Sequence, residues 1–477
     1  MESSETFPEN AVKAITDDQL RMALNKVRDG FGGARRQAAV DRLPEFDALR
    51  DAARDIKNHA ISHLDLYLER FEQRVIESGG VVHWCETPDE ARDLILRLCQ
   101  EVDARTVTKG KTMIAEEIGL NPFLEAHGIT PIETDLGEYI IQLADEPPSH
   151  IIAPAIHKTK DQVADLFHEH HQAYGKTERL DDPGELVDEA RQVLRRKYIE
   201  ADVGITGANF LIAETGSTVI VTNEGNGDLT QTLPQRHIVL ATPEKIVPTL
   251  EDATTLLRVL ARSATGQEFS VYTTFSTGPK RQQDLDGPES FHVVILDNGR
   301  SQLVGGPFQD MLRCIKCGTC LFHCPVYASV GGHAYGSVYQ GPMGAVLTPN
   351  LIGLPTTRHL PNASSLCGRC ESVCPVRIPI PRMLRRLREE AHAESVTPLH
   401  ERLALRAWAW MAQRPAVYRL WARFMAGALR TFSGRTGRLR RLPFARGWTK
   451  ERDFPAPQGD TFLDLWRQSG GAARDKA

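Results

Sequence analysis

The chain has 477 residues, of which 41% are hydrophobic, 25% charged and 7% aromatic; this supplies several folded units with sizeable cores and excludes both a stapled mini-protein and a disordered chain. The net charge of −5 hides an asymmetry, because Arg402 to Lys450 carries twelve Lys/Arg and no Asp/Glu, so the rest stands at 45 minus 62, or −17. No apolar run approaches the ~18 residues that span a bilayer, and Met1 to Asp18 lacks a signal-peptide core, so a cytoplasmic location is expected.

From Asp17 to Ser78 apolar residues recur at three- and four-residue spacing, which predicts an N-terminal helical extension over 1–78. Strands and helices then alternate. VVHWC, RTVTKG and ITPIET read as strands, with helical TPDEARDLILRLCQEV and KTMIAEEIGLNPFLEAHG between them. HIIAPAIH continues the strand pattern before the helical KDQVADLFHEHH and ELVDEARQVLRRKYIEA. Later strands, in FLIAETGSTVIVTNEGN, RHIVLATPEKIV, SVYTTFSTGP and FHVVILDNG, follow one another without helices between them all. That order predicts one α/β domain over 79–300 with a mixed sheet. A cysteine region spans 301–395, and 396–477 reads as a basic helical region, helical to about Arg446, ending in a loosely ordered tail.

Cys314-x2-Cys317-x2-Cys320-x3-Cys324-Pro325 is a run that holds iron–sulfur clusters, its first three thiolates on one cluster and the fourth on another. The second cluster's motif is Cys367-x2-Cys370-x3-Cys374-Pro375, where Ser364 stands at the place of the first cysteine. Crossing the fourth cysteines gives Cys314, Cys317, Cys320 and Cys374 to one cluster and Cys324, Cys367 and Cys370 to the other. The first is then a closed [4Fe–4S] centre. The second is [3Fe–4S], or a [4Fe–4S] cube whose fourth iron takes Ser364, water or a substrate. Zinc also takes CxxC pairs, but it does not account for seven thiolates, the third cysteine at x2, or two Cys-Pro ends. Cys85 and Cys99 lie apart on a strand and a helix and read as buried, inert thiols. His323 reads as a hydrogen-bonded surface histidine that could instead tune a cluster.

Weaker signals surround these motifs. Arg105 to Thr112 superficially resembles a P-loop but lacks its first glycine; Lys109 and Lys111 there suit either a solvated turn or an anion. Glu214, Asn223 and Glu224, in loops rich in small residues at strand ends, are the candidate pocket, set against plain turn chemistry. No GxGxxG, GxSxG or HExxH occurs, so flavin or NAD binding through a Rossmann fingerprint, serine hydrolysis and zinc proteolysis have no support. Trp408, Trp410, Trp421 and Phe424 interleave with Arg402, Arg406, Arg414, Arg419, Arg423 and Arg430. Such helices suit an acidic partner or an anionic membrane surface; nothing else in the chain supports nucleic acid.

CIKCGTCLFHCPVY paired with SSLCGRCESVCPVRIPI, preceded by ITGANFLIAETGSTVIVTNEGN, resembles the lactate utilization protein B family over nearly the whole length. The resemblance implies a LUD-type domain related to the NagB/RpiA/CoA-transferase group, then an α-helical-ferredoxin-like two-cluster domain. The Ser364 departure looks like this family's own pattern. The resemblance also implies an iron–sulfur electron-transfer subunit of a system that oxidises L-lactate to pyruvate, not a complete enzyme alone. Its expected partners are a cysteine-rich iron–sulfur protein of A type and a LUD-domain protein of C type. Rival expectations are a binding, scaffold or redox-sensing subunit, or service to another donor such as glycolate.

Overall fold

A computed structural model of the protein describes residues 4–27, 30, 33–442, 449, 452–457 and 460–469. Contacts divide the described chain into two compact units, one ending at Val396 and the other beginning at Thr397.

Among the described residues the first unit holds ten strands: β1 Val81–Cys85, β2 Thr106–Gly110, β3 Thr130–Glu133, β4 Val203–Thr206, β5 Phe210–Ile212, β6 Ser217–Thr222, β7 Arg236–Ala241, β8 Ile246–Val247, β9 Tyr272–Ser276 and β10 Ser290–Leu296. They form two sheets. The larger has the order β1-β10-β7-β4-β2-β3 and every pair in it is parallel. Its central strands, VGIT and RHIVLA, are buried on both faces, as continuous apolar runs in parallel sheets require. The smaller sheet, β8-β5-β6-β9, carries the antiparallel pairs β5–β6 and β6–β9 beside the parallel pair β5–β8. The mixed character read from the sequence therefore resides in this second sheet. Loop closure explains the division: β5 and β6 are joined by a tight turn at Gly216, whose φ of +69° suits glycine.

HIIAPAIH forms no strand. Residues 150–157 are bends and turns, because Pro147, Pro148 and Pro154 remove the donors a ladder needs. The carbonyls of this segment are taken instead by the cysteine region. His333 Nε2 donates to Pro147 O (2.8 Å), Gln340 Nε2 to Pro148 O (2.7 Å) and the Tyr327 hydroxyl to Ser149 O (2.7 Å).

The N-terminal helices, among them Arg35–Asp41, Phe46–Ser62 and Leu64–Glu77, lie against the rest of this unit. Ala53 and Ile61 share one apolar core with Phe210 and Val219 of the small sheet and with Leu321, Val346 and Leu384 of the cysteine region. The fold thus places the cysteines against both the small sheet and the N-terminal helices.

The second unit contains the helices Leu399–Ala412 and Pro415–Ser433, a short antiparallel pairing of Arg438–Leu439 with Phe454–Pro455, and the helix Phe462–Gln468. The helix Leu399–Ala412 buries none of its residues; Trp408, Trp410, Trp421 and Phe424 are exposed. The long helices end at Ser433, short of the expected Arg446. Of the expected tail, 443–448, 450–451, 458–459 and 470–477 lie outside the described residues.

Candidate metal centre

The two cysteine motifs fold as a repeat. Lys316 (φ +56°) and Gly318 (φ +68°) in the first correspond to Leu366 (φ +54°) and Gly368 (φ +81°) in the second. Each glycine starts a one-turn helix, Thr319–Phe322 or Arg369–Ser372, that carries the next cysteine, Cys320 or Cys370. Left-handed residues on either side of Cys317 and Cys367 curl the backbone around the sulfur, so amide N–H groups point inward. The amides of Thr319, Arg369 and Glu371 favour the thiolates of Cys317, Cys367 and Cys370. Ile378 N donates to Cys374 Sγ at 3.4 Å.

The thiols influence one another's ionisation in two groups. Burial first, then the Cys374 and Cys314 thiols, pushes the Cys317 thiol far up. Cys320 is raised by burial and then by Cys317, Cys314 and Cys374. Cys370, pushed up to about 12 by burial, also feels Cys324 and Cys367, and Cys324 feels Cys367. Cys320 also feels Cys370, so the two sets adjoin. Buried thiols this reluctant to ionise become thiolates when a metal displaces the proton.

The surroundings fit iron–sulfur clusters. Thr319 Oγ1, Tyr335 OH and Arg36 Nε are buried and make no hydrogen bond, while Tyr335 feels Cys324 and Cys320 and Arg36 feels Cys317. Polar hydrogens left over beside cysteine sulfurs suit the sulfides of a cluster. Cations lie round the first set. Arg50 Nε and Nη2 donate to Cys374 O at 3.0 and 2.8 Å, and Arg313 feels the Cys374 thiol. Lys57 and Lys245, both lowered to about 8 by burial, feel Cys314. Among the described residues no cysteine trio has its sulfurs within 4.8 Å of one another.

The remaining candidates separate. Ser364 is half-buried and its Oγ accepts Leu366 N at 3.1 Å. His323 Nδ1 meets Thr319 O at 2.9 Å, a tie within its own turn. Glu214 caps a helix by accepting Leu250 N at 3.0 Å, and Asn223 Oδ1 accepts from Gln267 Nε2 and Val271 N. Only Glu224 adjoins a charged cluster, 3.6 Å from Lys111. Lys109 and Lys111 are not in a solvated turn. Lys109 is buried between Glu116 and Glu133, at 2.6 and 2.7 Å, and Lys111 pairs with Asp135. Cys85 and Cys99 are buried, their thiols raised by burial to about 11 and about 12.

Four contributors form no motif in the sequence. Arg36, Arg50 and Lys57 reach the cysteines from helices that read simply as amphipathic. His150 is fully buried, its ring stacked on Phe322 at 4.4 Å. Its Nδ1 accepts the amides of Ile152 and Ala153, so Nε2 carries the proton, and Nε2 has no partner. The Pro147-Pro148 pair that denies a strand was the available signal.

Three known family domains match most of the chain. Residues 68–296 match the LUD domain, 310–378 the 4Fe–4S dicluster domain, and 369–471 the C-terminal domain of lactate utilisation protein B. Lactate utilization protein B of Geobacillus thermodenitrificans is 44% identical over 462 residues, covering 96% of each chain. That of Bacillus subtilis is 41% identical over 475 residues, covering 99% of this chain and 98% of that one. Among solved structures, a DUF162 family protein of Deinococcus radiodurans aligns with a TM-score of 0.28 at 13% identity, covering 49% of this chain and 98% of that one.

Proposed function

Since this chain belongs to the lactate utilization protein B family, we propose that it is the iron–sulfur electron-transfer subunit of a multi-protein system oxidising L-lactate to pyruvate. The observation that supports the reading most is the pattern in which the cysteine thiols influence one another, Cys317 and Cys320 answering to Cys314 and Cys374, and Cys370 to Cys324 and Cys367. The first set holds a [4Fe–4S] cluster; the second, with three thiolates, holds [3Fe–4S] or [4Fe–4S], with Ser364 as candidate fourth ligand. When bound, such clusters carry single electrons at potentials tuned by hydrogen bonds, charge and burial.

This chain's residues supply that tuning. Arg36, Arg50, Arg313, Lys57 and Lys245 offset the negative charge of the first set, and the apolar core around Leu321 and Leu384 keeps water from it. Cys367 is exposed, which makes the second set the face at which electrons enter or leave. The basic, aromatic helices of the second unit serve to dock a companion subunit, cysteine-rich A type or LUD-domain C type, or an anionic membrane surface. No helix among the described residues is long and apolar enough to cross a membrane, and we place the assembly in the cytoplasm.

The test is iron, acid-labile sulfide and EPR on anaerobically purified protein, before and after L-lactate is added with both companion subunits. Two clusters per chain and an EPR change that depends on lactate and on both companions are expected. A response to glycolate but not to lactate would move the assignment to another donor, and clusters that ignore both would leave a scaffold or sensing role.

A further inference from the structure

Away from the cysteines, the described residues bring one further set of metal-ligand side chains together. Glu146, His157 and His333 each offer a ligand atom within 4.8 Å of the others. They line a cavity of about 440 Å³ together with Lys158 and with Asn10, Lys13 and Leu20 of the N-terminal helices. Glu146 and His157 bracket the irregular proline-rich segment, and His333 begins the turn His333–Tyr335 in the cysteine region.

Two of the three side chains are held by a partner behind them. His333 Nε2 donates to Pro147 O at 2.8 Å, which leaves the Nδ1 lone pair free; a backbone carbonyl on the other ring nitrogen is the usual outer partner of a metal-bound imidazole. Lys158 Nζ holds Glu146 Oε1 at 2.5 Å and leaves Oε2. That oxygen lies 2.7 Å from His157 Nε2, near the ~3 Å between adjacent ligands on an ion with bonds of about 2.0–2.2 Å. His157 Nε2–H donates to that carboxylate oxygen, and Nδ1 is buried without a partner; a cation bound at Nε2 and Oε2 would take the place of that proton, which the ring can carry at Nδ1 instead. The His157 and His333 rings meet at 4.4 Å between centroids.

Two imidazoles and one carboxylate form the ligand set of open zinc and non-haem ferrous sites. We propose that Glu146, His157 and His333 bind one divalent transition-metal ion, zinc or ferrous iron, separate from the cysteine-bound clusters, with its open positions facing the cavity.

The test uses full-length protein purified anaerobically and equilibrated with either Zn²⁺ or Fe²⁺ at micromolar free concentration. Metal and sulfide analysis and X-ray absorption at the added metal's edge are the readouts. One zinc per chain, or one iron in excess of cluster iron, is expected, and for zinc a nitrogen and oxygen shell without sulfur. His333→Ala and His157→Ala should each weaken binding at least about tenfold, with sulfide content unchanged. No extra ion at that concentration, a sulfur shell around zinc, or unchanged affinity in both variants overturns the proposal. If His157→Ala loses sulfide as well, the exposed His333 decides through its own variant and the wild-type zinc shell.

Discussion

The imidazole of His150 occupies the space that a side chain at Gly318 would need: a Cβ there would lie 2.9 Å from His150 Cε1 and 3.0 Å from Ile152 Cγ1. A residue of the proline-rich segment thus fills the turn between Cys317 and Cys320. Gly318→Ala adds this clash to the cost of a left-handed residue, about 1–2 kcal/mol. Gly368→Ala, where nothing lies within 4 Å, meets only the backbone cost. Iron per chain should fall further in Gly318→Ala than in Gly368→Ala; equal losses would show that the packing of His150 is immaterial.

Crossed ligation makes a prediction that spacing alone does not. Cys374→Ser should damage the same cluster as Cys317→Ser, and Cys324→Ser the same one as Cys370→Ser. EPR and Mössbauer spectra of the four variants check the pairing, and a shared signature between Cys374→Ser and Cys370→Ser would contradict it.

Glu117 and Arg300 form a fully buried ion pair, with contacts of 2.6 and 3.0 Å, to which Tyr339 adds a hydroxyl. Arg300 is held far up by Glu117 and Glu244 despite its burial. Removing one partner leaves an unpaired buried charge, so Glu117→Ala should cost about 3–5 kcal/mol. Denaturant midpoints measure it, and a loss below about 1 kcal/mol would mean that Glu244, 3.5 Å from Arg300, takes over the pairing.

His237 is buried beside Thr206 Oγ1 at 2.8 Å and lowered by burial to about 3. The folded ring stays neutral, while the unfolded chain takes up a proton near pH 6.5. Its contribution is present above that pH and lost as pH falls towards 3, by about 2 kcal/mol at pH 5. His237→Gln should flatten the dependence of stability on pH between 6.5 and 5; an unchanged slope would place the protonation elsewhere.

Cysteine spacing carried the site's chemistry because ligand geometry within a motif is local: two or three intervening residues set how a tight turn points its sulfurs. Helices such as Phe46–Ser62 were legible for a similar reason, their apolar residues recurring at the helical period. VGIT, which forms β4, gives no strand signal of its own, since four residues carry little periodicity. HIIAPAIH was misleading because its apolar residues are buried, Ile151 and Ile156 among them, without any ladder.

What the sequence by itself determined was therefore the cluster-binding motifs, the helical stretches and the strand–helix alternation, all encoded within a few residues along the chain. Only the tertiary structure decided that the strands divide into two sheets, that Arg36 and Arg50 reach the cysteines, that His150 fills the turn at Gly318, and that Glu146 and His157 meet His333. Burial is the physical reason. A charge or an imidazole removed from water takes whichever partner the packed core brings to it, and for Glu117 and Arg300 that partner lies 183 positions away.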